Sequence, residues 1–124
     1  MTKIDELLEL LRSMEASTPG IEASAVVSTE GLPIASAMPQ EVDDAVVAAM
    51  ASAILSVSEK VSSELVRGKL QQVMLQGELG YVIIKGAGEN ALLTVLARND
   101  ANLGLILMVL KRVSEEVKKL LEEE

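Results

Sequence analysis

The sequence predicts an α+β fold, one antiparallel five-stranded sheet with three helices in the order α-β-β-α-β-β-β-α. Three observations predict it. Apolar residues recur at steps of three and four in three separate stretches, the period of a helix with a buried side. Short β-rich runs fill the intervals between them. Three of those runs, Lys69 to Gln76, Tyr81 to Lys85 and Ala91 to Ala97, are joined only by Gly77-Glu78-Leu79-Gly80 and Gly86-Ala87-Gly88-Glu89-Asn90. A parallel crossover needs about a dozen residues or more, so these runs form antiparallel hairpins.

The first helix carries Ile4, Leu7, Leu8, Leu11 and Met14 on one side. Thr2 opens it, with Asp5 three residues later as a capping pair. Ser17-Thr18-Pro19-Gly20 ends it. Ile21, Ala23, Ala25 and Val27 then alternate with Glu22, Ser24, Val26 and Ser28, a period-two strand. Glu30-Gly31 turns the chain into a second strand from Leu32 to Met38, where Pro33 suits a sheet edge. Pro39 is expected to start the long helix, with Glu41, Asp43 and Asp44 at its positive end. The last helix runs from about Asp100 or Asn102 to Leu121, burying Leu103, Ile106, Leu110, Val113, Val117 and Leu120.

The long helix, about Glu41 to Leu65, has two apolar faces. Val46, Met50, Ile54, Val57, Val61 and Leu65 form a bulky stripe. Ala45, Ala48, Ala49, Ser52, Ala53, Ser56 and Ser63 form a small, uncharged strip. Small side chains let two backbones approach closely, so that strip is read as the face of a second packing partner. At 1.5 Å per residue the segment is roughly 37 Å long, and the partner surface must be long too. The strand from Lys69 to Gln76 is a candidate sheet edge, and an unpaired edge invites another chain. Helix and edge together make a self-complementary surface of the kind a two-fold dimer requires.

Composition agrees with buried subunit surface. The chain has 124 residues, which reads as one domain. With no Phe, no Trp and only Tyr81 among the aromatics, its core must be Leu, Val, Ile, Met and Ala. Hydrophobic residues reach 49% and mean hydropathy is +0.34, high for a monomer. A membrane span is disfavoured, because the longest apolar run, Ala45 to Val57, falls short of the roughly 20 residues needed and is broken by Ser52 and Ser56. The acidic, amphipathic start is not a signal peptide. The net charge of −8 disfavours nucleic acid, which needs a basic footprint. Absence of Cys fits a reducing cytoplasm.

Catalysis has little support. The chain has no His and no Cys, so the commonest bases, thiol nucleophiles and transition-metal ligands are missing. Asp43 and Asp44 are better read as complementing the helix dipole than as an acid/base pair. Ser56 and Lys60 share a helix face without a third group or an oxyanion site. Gly86-Ala87-Gly88-Glu89-Asn90-Ala91 has the spacing of a dinucleotide loop, but it runs into a strand where that motif must open a helix. Arg67 with Gly68 reads as a helix end rather than a finger for a partner's nucleotide site. Glu115-Glu116 and Glu122 to Glu124 read as solvated helix surface. No cofactor is expected, and no P-loop motif is present.

From about Ile4 to Leu121 the chain resembles the roadblock/dynein light chain domain family, including bacterial and archaeal members that partner Ras-like GTPases. The carriers are Val26-Val27-Ser28-Thr29-Glu30-Gly31-Leu32-Pro33-Ile34-Ala35, the Ala/Ser-rich helix after it, Gly80-Tyr81-Val82-Ile83-Ile84, and Leu93-Thr94-Val95-Leu96-Ala97 followed by Ala101-Asn102-Leu103-Gly104-Leu105. The resemblance implies a profilin-like layering, with the long helix on one face of the sheet and the terminal helices on the other. It implies a homodimer, or a heterodimer with a second roadblock chain, joined through the long helix and the following strand. It also implies a platform on which a small GTPase or another adaptor docks. Some relatives stimulate GTP hydrolysis and others only scaffold; this chain looks like the bare domain.

The reading that follows is a cytoplasmic, non-catalytic homodimer that binds and regulates a small Ras-like GTPase. The alternative is a structural adaptor of a larger complex, dynein light chain-like, with no direct GTPase regulation. A small-molecule binding domain is a third, resting on Tyr81 alone. Contact is expected at Ala45, Ala48, Ala49, Ser52, Ala53 and Ser56, shared between dimer seam and partner face, and at Gln71, Val73 and Leu75 on the dimer-forming strand. Glu in place of Ala49 or Ser52 is expected to put like charges in the seam.

Overall fold

The computed structural model describes residues 1–123. Its elements are α1 (Lys3–Ser17), β1 (Ile21–Ser28), β2 (Pro33–Ala37), α2 (Asp44–Glu64), β3 (Val73–Gly77), β4 (Gly80–Gly86), β5 (Ala91–Arg98) and α3 (Leu103–Glu122). All strand pairs are antiparallel and the sheet order is β2-β1-β5-β4-β3. β2 and β3 are therefore the edges, in keeping with Pro33 and the run before Gly77.

Local signals set the helix ends. Thr2 and Asp5 form a reciprocal capping box on α1. Asn102 caps α3 by accepting from the amide of Leu105 at 3.1 Å. α2 begins later than expected: Pro39 lies in a turn, its carbonyl accepting from Val42, and Asp43 is the cap. The reason is the Asp43 carboxylate, which accepts from the amides of Ala45 and Val46 and so satisfies helix-end donors that a proline at position 39 does not reach.

Two cores sandwich the sheet. On one face, Leu7, Leu11 and Met14 of α1 with Ile106, Leu110, Val113 and Val117 of α3 pack on Val26, Ile83, Leu93 and Val95. On the other, Ala48, Ala51 and Leu55 of α2 pack on Ala25, Val27, Ile84 and Leu92. Burial of each Val, Leu or Ile side chain contributes about 1.5–3 kcal/mol, so the first face supplies most of the drive. Helices on both sides explain a departure from the sequence pattern. The β1 run alternates in sequence, yet Ser24 and Val26 are as buried as Ala25 and Val27. A register shift between Ile21 and Ala23 returns Ile21 to the α1–α3 side.

The third strand is shorter than its sequence run. Residues 69–72 cross from the end of α2 to the sheet edge, and pairing starts only where Val73 meets Ile84. Of the last helix, Leu103 and Leu120 are half-buried rather than buried, and Ile4 of the first is exposed. Glu122 is exposed and Glu124 lies outside the described residues.

Candidate interaction surface

α2 is a 21-residue helix that buries only Ala48, Ala51 and Leu55. Its bulky stripe points away from the sheet: Val46, Met50, Val57, Val61 and Leu65 are all exposed, and Ile54 is half-buried against the α2 core. This corrects the expected division of the helix. Ala48, Ala51 and Leu55 lie against the chain's own sheet, while most of the small strip (Ala45, Ala49, Ala53 and Ser56) is exposed, as most of the bulky stripe is.

The residues expected to make contact separate accordingly. Ala48 has no exposed surface and belongs to the α2 core, so it contributes packing within the protomer and is withdrawn from the contact set. Ser52 is half-buried, its hydroxyl donating to the carbonyl of Thr29 at 2.6 Å. Ala45, Ala49, Ala53 and Ser56 are exposed. Ala49 flanks the first hairpin turn: a Cβ on Gly31, whose φ is +90°, would sit 3.5 Å from the Ala49 Cα. On the edge side, Leu75 is exposed and Val73 half-buried against α2. Gln71 lies before the strand, its carbonyl accepting from Lys85 Nζ at 3.1 Å.

What results is an apolar ridge along α2 beside the edge strand β3, which pairs only with β4 and whose Leu75 is also open. From Ala45 to Ser58 the helix carries no charged residue. On a chain of net charge −8 this exposed apolar patch is the candidate contact surface. By length and composition α2 is also apolar enough to cross a membrane, a property that the shorter run Ala45 to Val57 does not have. The difference arises because the helix continues through Ser58 to Glu64, past the run counted from sequence.

The other sequence candidates take structural places. Asp43 caps α2. Gly86 ends β4 and Ala91 begins β5, so the glycine-rich segment between them is a hairpin turn. Arg67 Nε donates to the carbonyl of Leu65 at the helix end. An open cleft of about 1000 Å³ lies over that turn, between α2 and α3. Its lining includes Lys69, Lys85 and Lys118 together with Glu59, Glu89, Glu115 and Glu122, a mixture that selects no one ligand charge. Among the described residues no group of three His, Cys, Asp or Glu side chains is placed to hold a metal ion.

Sequence reasoning missed Glu15. It reaches from α1 to the buried Ser24, whose hydroxyl donates to its carboxylate at 2.5 Å. Burial raises the Glu15 pKa above the usual carboxylate range, and the bond from Ser24 and the charge of Arg12 oppose that rise. Glu15 follows Met14 in an ordinary amphipathic helix, and no sequence signal marks it.

A family model described as Roadblock/LC7 domain matches residues 3–97. Two uncharacterized proteins of Methanocaldococcus jannaschii are similar to the chain. One is 44% identical over 101 residues, covering 82% of this chain and 88% of the relative. Another is 43% identical over 112 residues, 90% of each. Among solved structures, the gliding protein MglB from Thermus thermophilus superposes with a TM-score of 0.87 at 21% identity, over 100% of this chain and 94% of that one. The Roadblock/LC7 domain from Streptomyces avermitilis does so with a TM-score of 0.87 at 19% identity, over 94% and 98%. The same layered fold is present in both.

Proposed function

Because the chain belongs to the Roadblock/LC7 domain family, we propose that it is a cytoplasmic, non-catalytic interaction module. It pairs with a second copy of itself, and the paired surface binds and regulates a small Ras-like GTPase. The observation that carries this reading is the exposed stripe Val46, Met50, Val57, Val61 and Leu65 beside the free β3 edge. Pairing through both elements removes the apolar surface and the unpaired backbone groups together. The GTPase as partner follows from the family resemblance.

A membrane-spanning role for α2 is a poorer fit. Crossing a bilayer would strip Ala48, Ala51 and Leu55 from the sheet and leave Ala25, Val27, Ile84 and Leu92 without their cover. Pairing on the outer face keeps that core intact.

A dimer without catalytic groups acts on a GTPase only by differential binding, holding one nucleotide state more tightly than the other. The test is light scattering after size exclusion, with a candidate Ras-like GTPase from the same organism loaded in turn with GTP analogue and GDP. A stable complex with one state alone supports regulation and justifies hydrolysis assays. A dimer indifferent to both states sinks the GTPase reading and leaves the structural adaptor.

A further inference from the structure

The segment after α2 holds a residue its backbone does not favour. Val66 has φ of 56°, the one positive value among the described non-glycine residues; Gly20, Gly31, Gly68 and Gly88 hold the others. The position closes the helix. The amide of Arg67 donates to Ser62 at 2.8 Å and that of Val66 to Ser63 at 3.1 Å, the two bonds of a Schellman end. Such ends normally carry glycine, because a Cβ in the left-handed conformation crowds the following carbonyl, and a β-branched side chain is a rare occupant. Val66 gains no core contact in return, since it is 80% exposed. Strain of this kind persists where a function uses it.

In sequence Val66 directly follows Leu65, the last residue of the exposed stripe that includes Val57 and Val61. We propose that Val66 is a dimer contact, held in the left-handed conformation so that the apolar ridge extends beyond the helix onto a second copy of the chain. This rests on the pairing described under the proposed function. Two features favour a second copy as occupant. A chain of net charge −8 meets itself at least cost over neutral ground, and the ridge is uncharged from Ala45 to Ser58. The ridge also adjoins the β3 edge, so one two-fold operation serves both elements. Antiparallel pairing of the two ridges brings Val66 of one copy toward the Val46 end of the other, a contact made twice in each dimer.

Sedimentation equilibrium on the full chain tests this with Val66→Gly and Val66→Asn, both suited to positive φ, and with Leu79→Ser at the exposed β3–β4 turn as control. Each Val66 variant is expected to weaken dimerisation by about tenfold or more, since an apolar contact is lost from both copies. The thermal midpoint of the dilute, monomeric variants should equal or exceed that of wild type diluted to monomer, as strain is relieved, and Leu79→Ser should leave the dimer unchanged. A dissociation constant within about twofold of wild type in a dimer that does form overturns the role of Val66 alone. A midpoint in both variants below that of wild type diluted to monomer overturns it too, by making Val66 structural. Loss of GTPase binding with dimerisation intact overturns the choice of occupant. A wild-type chain that stays monomeric removes the pairing reading and this proposal with it.

Discussion

The hydroxyl of Ser52, on the flank of α2, donates a 2.6 Å hydrogen bond to the carbonyl of Thr29 in the turn after β1. That bond ties the long helix to the first hairpin turn and accounts for the small residues along this side. The left-handed Gly31 lies against Ala49 and Ser52, where larger side chains would push the turn away. Replacement of Ser52 by Ala removes the bond without adding bulk. It should lower stability by about 1 kcal/mol, read by urea denaturation at matched protein concentration. An unchanged midpoint would mean the turn is held by packing alone.

Charge placed at Val57 tests the seam without disturbing the protomer. Val57 is 63% exposed on the outward ridge, so Val57→Glu touches neither core. The mass by light scattering should fall from twice 13.2 kDa to 13.2 kDa with the circular dichroism unchanged. Glu at Ser52, the test that the sequence alone suggests, would also break the bond to Thr29 and confuse the two effects. A Val57→Glu protein that keeps a dimer mass excludes the ridge as the seam.

Thr94 supplies a test of the α2 core. It lies in register with Ala25 and Ile84, and its buried hydroxyl has no hydrogen-bond partner among the described residues. A buried hydroxyl left unpaired costs about 1–3 kcal/mol. Thr94→Val keeps the shape and removes the group, so the unfolding midpoint should rise by an amount equivalent to about 1 kcal/mol. A fall would show that the hydroxyl is satisfied in solution.

Glu15 gives the molecule one pH-dependent element with a defined sign. Its folded pKa is raised, chiefly by burial, so the folded chain binds this proton more tightly than the unfolded one. The stability it contributes is full below the ordinary carboxylate range and is lost as pH rises through the folded value. Glu15→Gln preserves an acceptor for Ser24 and removes the charge. It should melt higher than wild type at pH 7, and the difference should vanish in acid. A gain that grows as pH falls would contradict this assignment.

The parts of the fold legible in the sequence are those written locally. Thr2 with Asp5, Asn102 at the head of α3, and the glycine turns around Glu78 and Glu89 each fix a helix end or hairpin with residues a few positions apart. What stayed hidden depends on distant partners. Ala48 and Val57 are both apolar, and hydrophobicity alone does not say which meets the chain's own sheet and which a neighbour. The close approach of α2 to Ala25 and Val27 decides that, and it is a property of the assembled layers. Ser24 reads as solvent-facing for the same reason: its polarity is visible in the sequence, and the carboxylate that receives it across the layer is not.

The centre of the sheet is the pairing of β1 with β5, residues 21–28 with residues 91–98. During synthesis the first strand and its hairpin emerge long before their neighbour exists. α2 is likewise complete before β4 and β5 can offer Ile84 and Leu92 beneath it. A contact so distant along the chain forms slowly, because the intervening loop must be closed first. Until the fifth strand leaves the ribosome, the long helix shows apolar surface on both sides, and the nascent chain is at its most vulnerable to aggregation.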